Sequence, residues 1–430
     1  MHLKYKDMPH TKNLLNLGKK ITYGFFAKID ILFHCVLLAS LTICLVNPDM
    51  TMKIFMASTL LAIIMASKNR HDVLRNKRYF ILPAMFLLFS IMQLIWVGIF
   101  KTPGTHFSGA YRSYQNGGKV MFCGALTLLA LQSSKISTIK HHITQYWVIL
   151  TAIGLYLFAG YQAITAKHPL SYRVTLGFEH ATGTAYILTL VALLASQVII
   201  NLHTKKSIYF YLLHFSVSFI AIIATQTRAA ILVYPLLSMV LFFLHYRHHR
   251  TLLMRALLAF LILTILAAIP LKSVIEKRYH NTLHDLHSYS KHNSNTSIGA
   301  RFAMQKVGLY AGKQHLFGQS LEQRSIEANV FSQQDISVKG ALKYLNVHLH
   351  NELIDTFSLK GVPGVIVLIL LYAAMFLTTY LQRNPIICVI SVAIALYGLS
   401  DVLFYAKGEA LGCTLTLCVA TMMRKNSREI

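Results

Sequence analysis

Acidic residues are scarce: 15 Asp and Glu stand against 41 Lys and Arg in 430 residues, and charged residues of both signs make up only 13% of the chain. So little charge excludes a water-soluble protein of this length, and a hydrophobic content of 55% with a mean hydropathy of +0.52 agrees. A CxxC pair, a His/Cys ligand spacing and a DxD-like pair of carboxylates are all missing. The six cysteines (Cys35, Cys44, Cys123, Cys388, Cys413 and Cys418) fall inside or at the edges of apolar segments, which excludes a disulfide framework and a zinc ribbon. With so few carboxylates, a divalent ion has no evident ligands, and neither metal nor cofactor is expected. No small-residue cleavage site follows the basic opening MHLKYKDMPHTKNLLNLGKK, so no cleaved signal peptide is expected. Internal repeats and Pro-rich linkers are absent too.

Long apolar runs dominate what remains. They fall near 31–46, 50–66, 79–100, 120–132, 146–164, 185–201, 208–223, 229–245, 252–270, 362–382, 386–400 and 408–423. Each is close to the ~20 residues that cross a bilayer as a helix, which predicts about twelve crossings and an all-α polytopic membrane protein. That excludes a soluble enzyme carried on one anchor. Asn47-Pro48-Asp49 predicts a tight turn between the first two spans, and 120–132 is the shortest.

The net charge of +26 does not point to nucleic acid, because the basic residues are scattered through short loops rather than gathered along a groove. Lys4, Lys6, Lys12, Lys19, Lys20 and Lys28, then Lys68, Arg70, Arg75, Lys77 and Arg78, and finally Arg424, Lys425 and Arg428 all fall on one side of the alternating spans. The positive-inside rule then puts both termini in the cytoplasm and the polar stretch of about 271–361 on the outer face. The expected organisation is nine spans over 1–270, a large outer loop over 271–361, and three spans with a cytoplasmic tail over 362–430. The remaining positive excess favours membrane lipids and an anionic, phosphorylated lipid partner.

A loop of that length in a compact protein is usually functional. Thr296 or Ser297 is a candidate cap for a helix through IGARFAMQKVGLYAG, with Gly312 near its end. A second helix is expected over NVHLHNELIDTFSLKG, stopped by Gly361 and Pro363. In a helical register, His348 would share a polar face with Glu352 and Asp355, and His350 an apolar face with Leu353, Ile354 and Phe357. That register would turn His350 toward the membrane domain as a candidate general base and leave His348 in a supporting place.

Ionisable groups are nearly absent from the span centres, and His214 there reads as a buried hydrogen-bonded imidazole, which weighs against a transporter. The outer boundaries instead collect Arg112 in GAYRSYQNGGK, Arg173 and His180 in SYRVTLGFEHATGTAY, Arg228 in TQTRAA, Arg301 in SIGARFAM, His348 and His350, and Asp401 in GLSDVLFYAKG. Arg228 opens the eighth span, where the free N–H groups and the positive end of the helix dipole add to its guanidinium. Arg301, in the first turn of the loop helix, repeats the arrangement. Two arginines placed so can clamp a pyrophosphate through paired N–H donors, which a lysine cannot match.

The segments TQTRAA, SIGARFAM, NVHLHNELIDTFSLKG and GLSD, with GAYRSY and GFEHATGTAY upstream, resemble the bacterial O-antigen ligases, most closely those of enteric bacteria. The resemblance implies a metal-independent glycosyltransferase of the C-type fold in the inner membrane of a Gram-negative bacterium. It would transfer O-antigen from undecaprenyl pyrophosphate to the lipid A-core oligosaccharide at the periplasmic face. It also implies that Arg228 and Arg301 bind the pyrophosphate, that His350 is the essential histidine, and that Asp401 is the family's acidic residue after the penultimate span.

Elementary chemistry suits that implication. A glycosyl pyrophosphate is already activated, so the protein has only to neutralise the departing charge, orient the acceptor and take its proton. Single displacement inverts the anomeric centre; double displacement needs a carboxylate nucleophile, for which Glu352, Asp355 and Asp401 are the candidates. An O-antigen polymerase shares the general plan, and a lipid or glycan transporter is the alternative from another class.

Overall fold

The structure is a computed structural model that describes residues 9–70, 80–134, 137–166, 172–202, 204, 206–269 and 272–423. Lys4, Lys6, Arg75, Lys77, Arg78, Arg424, Lys425 and Arg428, on which the expected orientation leans, lie outside them. The chain is an all-α polytopic membrane protein, with no strand among the described residues.

Among the described residues nine helices come first: α1 Pro9–Cys44, α2 Pro48–Lys68, α3 Ile81–Phe100, α4 Ser108–Ser133, α5 Thr138–Thr165, α6 Ala181–Ile200, α7 Ser207–Ala224, α8 Arg228–Tyr246 and α9 Arg250–Ala268. A polar stretch follows with α10 Lys272–Ser290, α11 Ser297–Gln314, α12 Leu321–Gln334 and a 3-10 segment over Ile336–Tyr344. The chain then re-enters the bundle as α13 Glu352–Gln382, α14 Pro385–Gly398 and α15 Lys407–Met422.

Every expected span lies on one of these helices, but eight of them are long and apolar enough to cross a membrane by length and composition. The others fall short for separate reasons. α4 opens on the polar run SGAYRSYQNGGK, α9 is apolar over Leu253–Leu266, and α14 and α15 are 14 and 16 residues long. α1 begins well before residue 31, running back through the basic opening. The turn between α1 and α2 forms where it is expected: the Asn47 side chain accepts from Met50 N and Pro48 occupies the first helical turn.

The core sits around α6 and α15, which are buried along nearly their whole lengths. Close approach there needs small residues, and Gly412 of α15 lies directly under the Ile187 side chain of α6. In the polar stretch, Thr296 caps α11 through Gly299 N, as expected. α10, α12 and the 3-10 segment go beyond the two helices expected there. α12 carries its own signal in SLEQ, where Ser320 accepts from Gln323 N.

α13 is two helical stretches that meet across a kink at Gly361, with φ 63° and ψ −158°, so the first stretch stops at Gly361 as expected. The kink is clamped: Val362 N donates to Leu316 O at 2.8 Å, and Gln319 N donates to Leu359 O at 2.9 Å. These bonds pin the α11–α12 turn against the point where α13 begins its long apolar run. A Cβ at Gly361 would lie 2.1 Å from Leu316 O, in a backbone region that L-residues avoid. Gly361→Ala is therefore expected to cost about 1–3 kcal/mol of stability and to lower the thermal unfolding midpoint of the detergent-solubilised protein. Gly160→Ala, in α5 with open space around its Cβ, is the control and should leave the midpoint unchanged or raise it.

Candidate active site

Asn351 caps α13 by accepting from Ile354 N at 3.0 Å, so the helix begins at Glu352 and the two histidines precede it. This corrects the helical register expected from the sequence. His350 has φ +51°, a left-handed conformation that no helix interior contains. The apolar face expected around His350 goes elsewhere: Ile354 and Phe357 pack into the gaps left by Gly308 and Gly312 of α11, and Leu353 is exposed.

The segment before α13 brings both imidazoles to one oxygen. His348 Nε2 and His350 Nδ1 each lie 3.3 Å from Asp401 Oδ1, which also accepts from Val402 N at 3.0 Å. The two rings meet edge to face with centroids 4.4 Å apart, and His348 packs the same way on Tyr405 at 4.9 Å. Asp401 is delivered by the turn between α14 and α15. That turn is stapled to the start of α13: Asn351 Nδ2 donates to Leu399 O at 3.1 Å, and Phe404 N donates to Glu352 Oε1 at 3.1 Å.

The hydrogen bonds settle the roles of the ring nitrogens. His350 N donates to His348 Nδ1 at 3.2 Å, so His348 carries its proton on Nε2 and directs it at Asp401. His348 thus has Nδ1 bonded and Nε2 beside the carboxylate. His350 has Nδ1 3.3 Å from Asp401 Oδ1 but makes no hydrogen bond with it.

Burial pushes the His348 pKa down to about 4, against the opposing pull of Asp401. Burial works against the charge of Asp401 as well, but the neighbouring His348, His350 and Arg301 outweigh it and hold that carboxyl at about 2. Near neutral pH the pair is an anion beside a neutral imidazole.

Arg301, half-buried in the first turns of α11, stands close enough for its charge to act on both Asp401 and Tyr186. Tyr186 in turn pairs its hydroxyl with Ser400 at 3.0 Å, beside Asp401. The structure thus gathers Arg301, His348, His350 and Asp401. Arg228 is where the sequence put it, as the first residue of α8, a helix packed on α6 and α14. Arg173 braces that corner, donating from Nε to Thr225 O at 3.0 Å and from Nη2 to Thr227 Oγ1 at 3.2 Å. The Arg112 and His180 side chains are exposed. His214 is the hydrogen-bonded imidazole expected of it, between Tyr156 and Ser196.

The expectation that no metal ligands exist needs amending. His348, His350 and Asp401 each offer one ligand atom, all within 4.8 Å of one another, and two imidazoles with a carboxylate suit a zinc-like ion. The ring nitrogens that face Asp401 serve such an ion or the carboxylate, not both. Spacing hid the set because Asp401 lies about fifty residues downstream.

Reasoning from sequence also missed Arg324 and the use made of Asp355. The two form an ion pair of 3.0 Å with side chains 1% and 0% exposed, directly beneath the histidine segment. The signal available was an arginine at helical spacing from Leu321 and Ala328, on the face of α12 that is buried.

The sequence is similar to those of known proteins. The profile of a family described as O-antigen ligase matches residues 213–369, which include Arg228, Arg301 and both histidines but not Asp401. The O-antigen ligase of Escherichia coli K12 is 30% identical over 387 residues, 88% of this chain and 90% of that protein. An uncharacterized protein of Haemophilus influenzae is 28% identical over 258 residues, 55% of this chain and 64% of that one.

The electrostatics predict an acid-sensitive site. An unfolded histidine takes a proton near 6.5 and folded His348 only near 4, so unfolding binds a proton between those values. Stability therefore falls as pH drops from about 6.5 toward 4, and a further loss follows as Asp401 titrates between its ordinary 3.8 and about 2. Thermal midpoints measured from pH 7.5 down to about 4.5 should decline less steeply in His348→Asn than in the wild type. Equal slopes would contradict a buried neutral imidazole.

Proposed function

The chain belongs to the O-antigen ligase family, and on that premise we propose that the His–Asp cluster is where it moves O-antigen from undecaprenyl pyrophosphate to the lipid A-core oligosaccharide. In this reading the protein is an enzyme of about twelve spans, with the C-type glycosyltransferase plan, in the bacterial inner membrane. Both termini are cytoplasmic, and the layer over 271–361 covers the active site on the periplasmic side.

One observation carries the mechanism: two imidazoles converge on one carboxylate oxygen, and of the two rings His348 already has its Nδ1 bonded to the backbone. Asp401 then holds the Nδ1–H tautomer of His350, and Nε2 takes the proton of the acceptor hydroxyl as its oxygen attacks the anomeric carbon. The bond from that carbon to the pyrophosphate oxygen breaks, and undecaprenyl pyrophosphate leaves with the electron pair. Arg228 and Arg301 receive the growing negative charge, each from the first turn or so of a helix. Such a single displacement inverts the anomeric centre. A double displacement finds little support, because Asp355 is sealed by Arg324 and Tyr114, and Glu352 accepts from Phe404 N and Tyr372. Asp401 is engaged by both imidazoles.

The reading is tested with purified protein, lipid-linked glycan and lipid A-core. Product should require the core, which a polymerase would not, and transport without cleavage of the glycosyl bond would point to a flippase. Arg228→Ala and Arg301→Ala should each abolish ligation while inserting normally, and full activity of both would sink the clamp. His350→Ala should lose about 10²–10⁴-fold in rate, as expected for removal of a general base, and His348→Ala less. A dead His348→Ala beside an active His350→Ala would pass the role to the other ring.

Activity should also survive EDTA. Loss on chelation, restored by added Zn²⁺, Mg²⁺ or Mn²⁺, would make the His348, His350 and Asp401 trio a metal centre instead.

A further inference from the structure

Asp355 is fully enclosed and saturated. Its Oδ2 accepts from Tyr114 Oη at 2.6 Å, and its Oδ1 accepts from Arg324 Nη1 and Leu349 N, both at 3.0 Å. Arg324, equally enclosed, spends Nη2 on Val347 O at 3.0 Å and reaches Ser358 Oγ with Nη1 at 3.4 Å. The ion pair therefore grips the backbone on both sides of His348, at the carbonyl of 347 and the amide of 349.

Three elements supply the network: α4 gives Tyr114, α12 gives Arg324 and α13 gives Asp355. Rings complete the circuit, with Tyr114 edge-on to Tyr405 at 4.5 Å and Tyr405 in turn on His348. Burying two opposite charges costs about as much as their attraction returns, so the pair is poor value as glue. It does fix geometry. A histidine with φ +51° holds a conformation that costs free energy and persists only when its surroundings over-determine it. The bonds at 347 and 349, followed by the Asn351 cap, enclose His350 on both sides.

We infer that Tyr114, Asp355 and Arg324 are positioning residues for the reaction, holding the 347–349 backbone so that the His350 ring meets Asp401. The inference rests on the reading of His350 as the base. Loosening the network leaves the donor-binding arginines in place and misaligns the proton acceptor, so turnover falls while donor KM stays.

The test is steady-state ligation by the full-length protein in lipid nanodiscs, with lipid-linked glycan varied at saturating lipid A-core, and thermal unfolding measured alongside. Tyr114→Phe keeps the ring against Tyr405 and removes one hydrogen bond. It should lower kcat ~10-fold with donor KM within about twofold, and Arg324→Lys, which loses the forked contact to Val347, should lower kcat ~100-fold. Arg324→Lys should still outperform Arg324→Met, the rescue that a merely space-filling role would not show. Wild-type kcat in Tyr114→Phe, or a loss carried entirely by donor KM, overturns the inference; should the Arg324 variants fail to fold, Tyr114→Phe alone decides. His350→Ala in the same assay separates the two ideas. If it is dead while Tyr114→Phe is unimpaired, only the positioning role falls. If it turns over normally, the base reading falls and takes this inference with it.

Discussion

A carboxylate buried without partners is among the most expensive things a fold can contain, and where its polar layer meets its bundle this one buries two and half-buries a third, all of them partnered. Asp355 and Glu352 are enclosed and bonded by donors from other parts of the chain, and Asp401 lies against two imidazoles. Asp355 ties α4 and α12 to the histidine segment, Glu352 ties the α14–α15 turn to α13, and Asp401 ends that turn against both imidazoles. In a chain with only 15 acids, placing three at one junction makes its geometry over-determined. The left-handed backbone at His350 and the kink at Gly361 are tolerable because that junction holds them.

The same economy of acids shapes the proposed chemistry. A polyprenyl pyrophosphate donor brings its own activation and its own negative charge, so the protein has to supply cations and one proton acceptor. Arg301 stands beside the His–Asp cluster and serves it twice in this scheme, as a partner for the leaving group and as a charge that keeps Asp401 ionised. Asp401 in turn has no free oxygen on the side the histidines occupy, which fits an orienting role better than attack on an anomeric carbon. His348 is the less obvious part: with Nδ1 bonded to the His350 amide it orders that peptide and shares the carboxylate, and its neutrality keeps a second positive charge out of the cluster.

Much of this was legible before any coordinates. Apolar runs of bilayer length located every helix of the bundle, Asn47-Pro48 marked the first turn, Thr296 marked the start of α11, and TQTRAA put Arg228 at a helix head. The error at NVHLHNELID has an equally plain cause. The periodic residues of α13 extend backward through Leu349, and nothing in that period says that Asn351 caps the helix and that His350 before it turns left-handed. A cap is one side-chain hydrogen bond, about 1 kcal/mol, and periodicity does not register it.

What the sequence determined on its own is therefore whatever follows from local pattern and bulk composition: a membrane-embedded helical protein, the places where helices start, and the residue types available for chemistry. Tertiary structure alone decided which of those residues meet. Asp401 reaches His348 and His350 because the α14–α15 turn folds back over the start of α13, and Arg324 finds Asp355 because the α11–α12 turn is pinned at Gly361. These are contacts between segments tens of residues apart. Their free energy comes from satisfying buried charges in three dimensions, a quantity that no stretch of sequence contains.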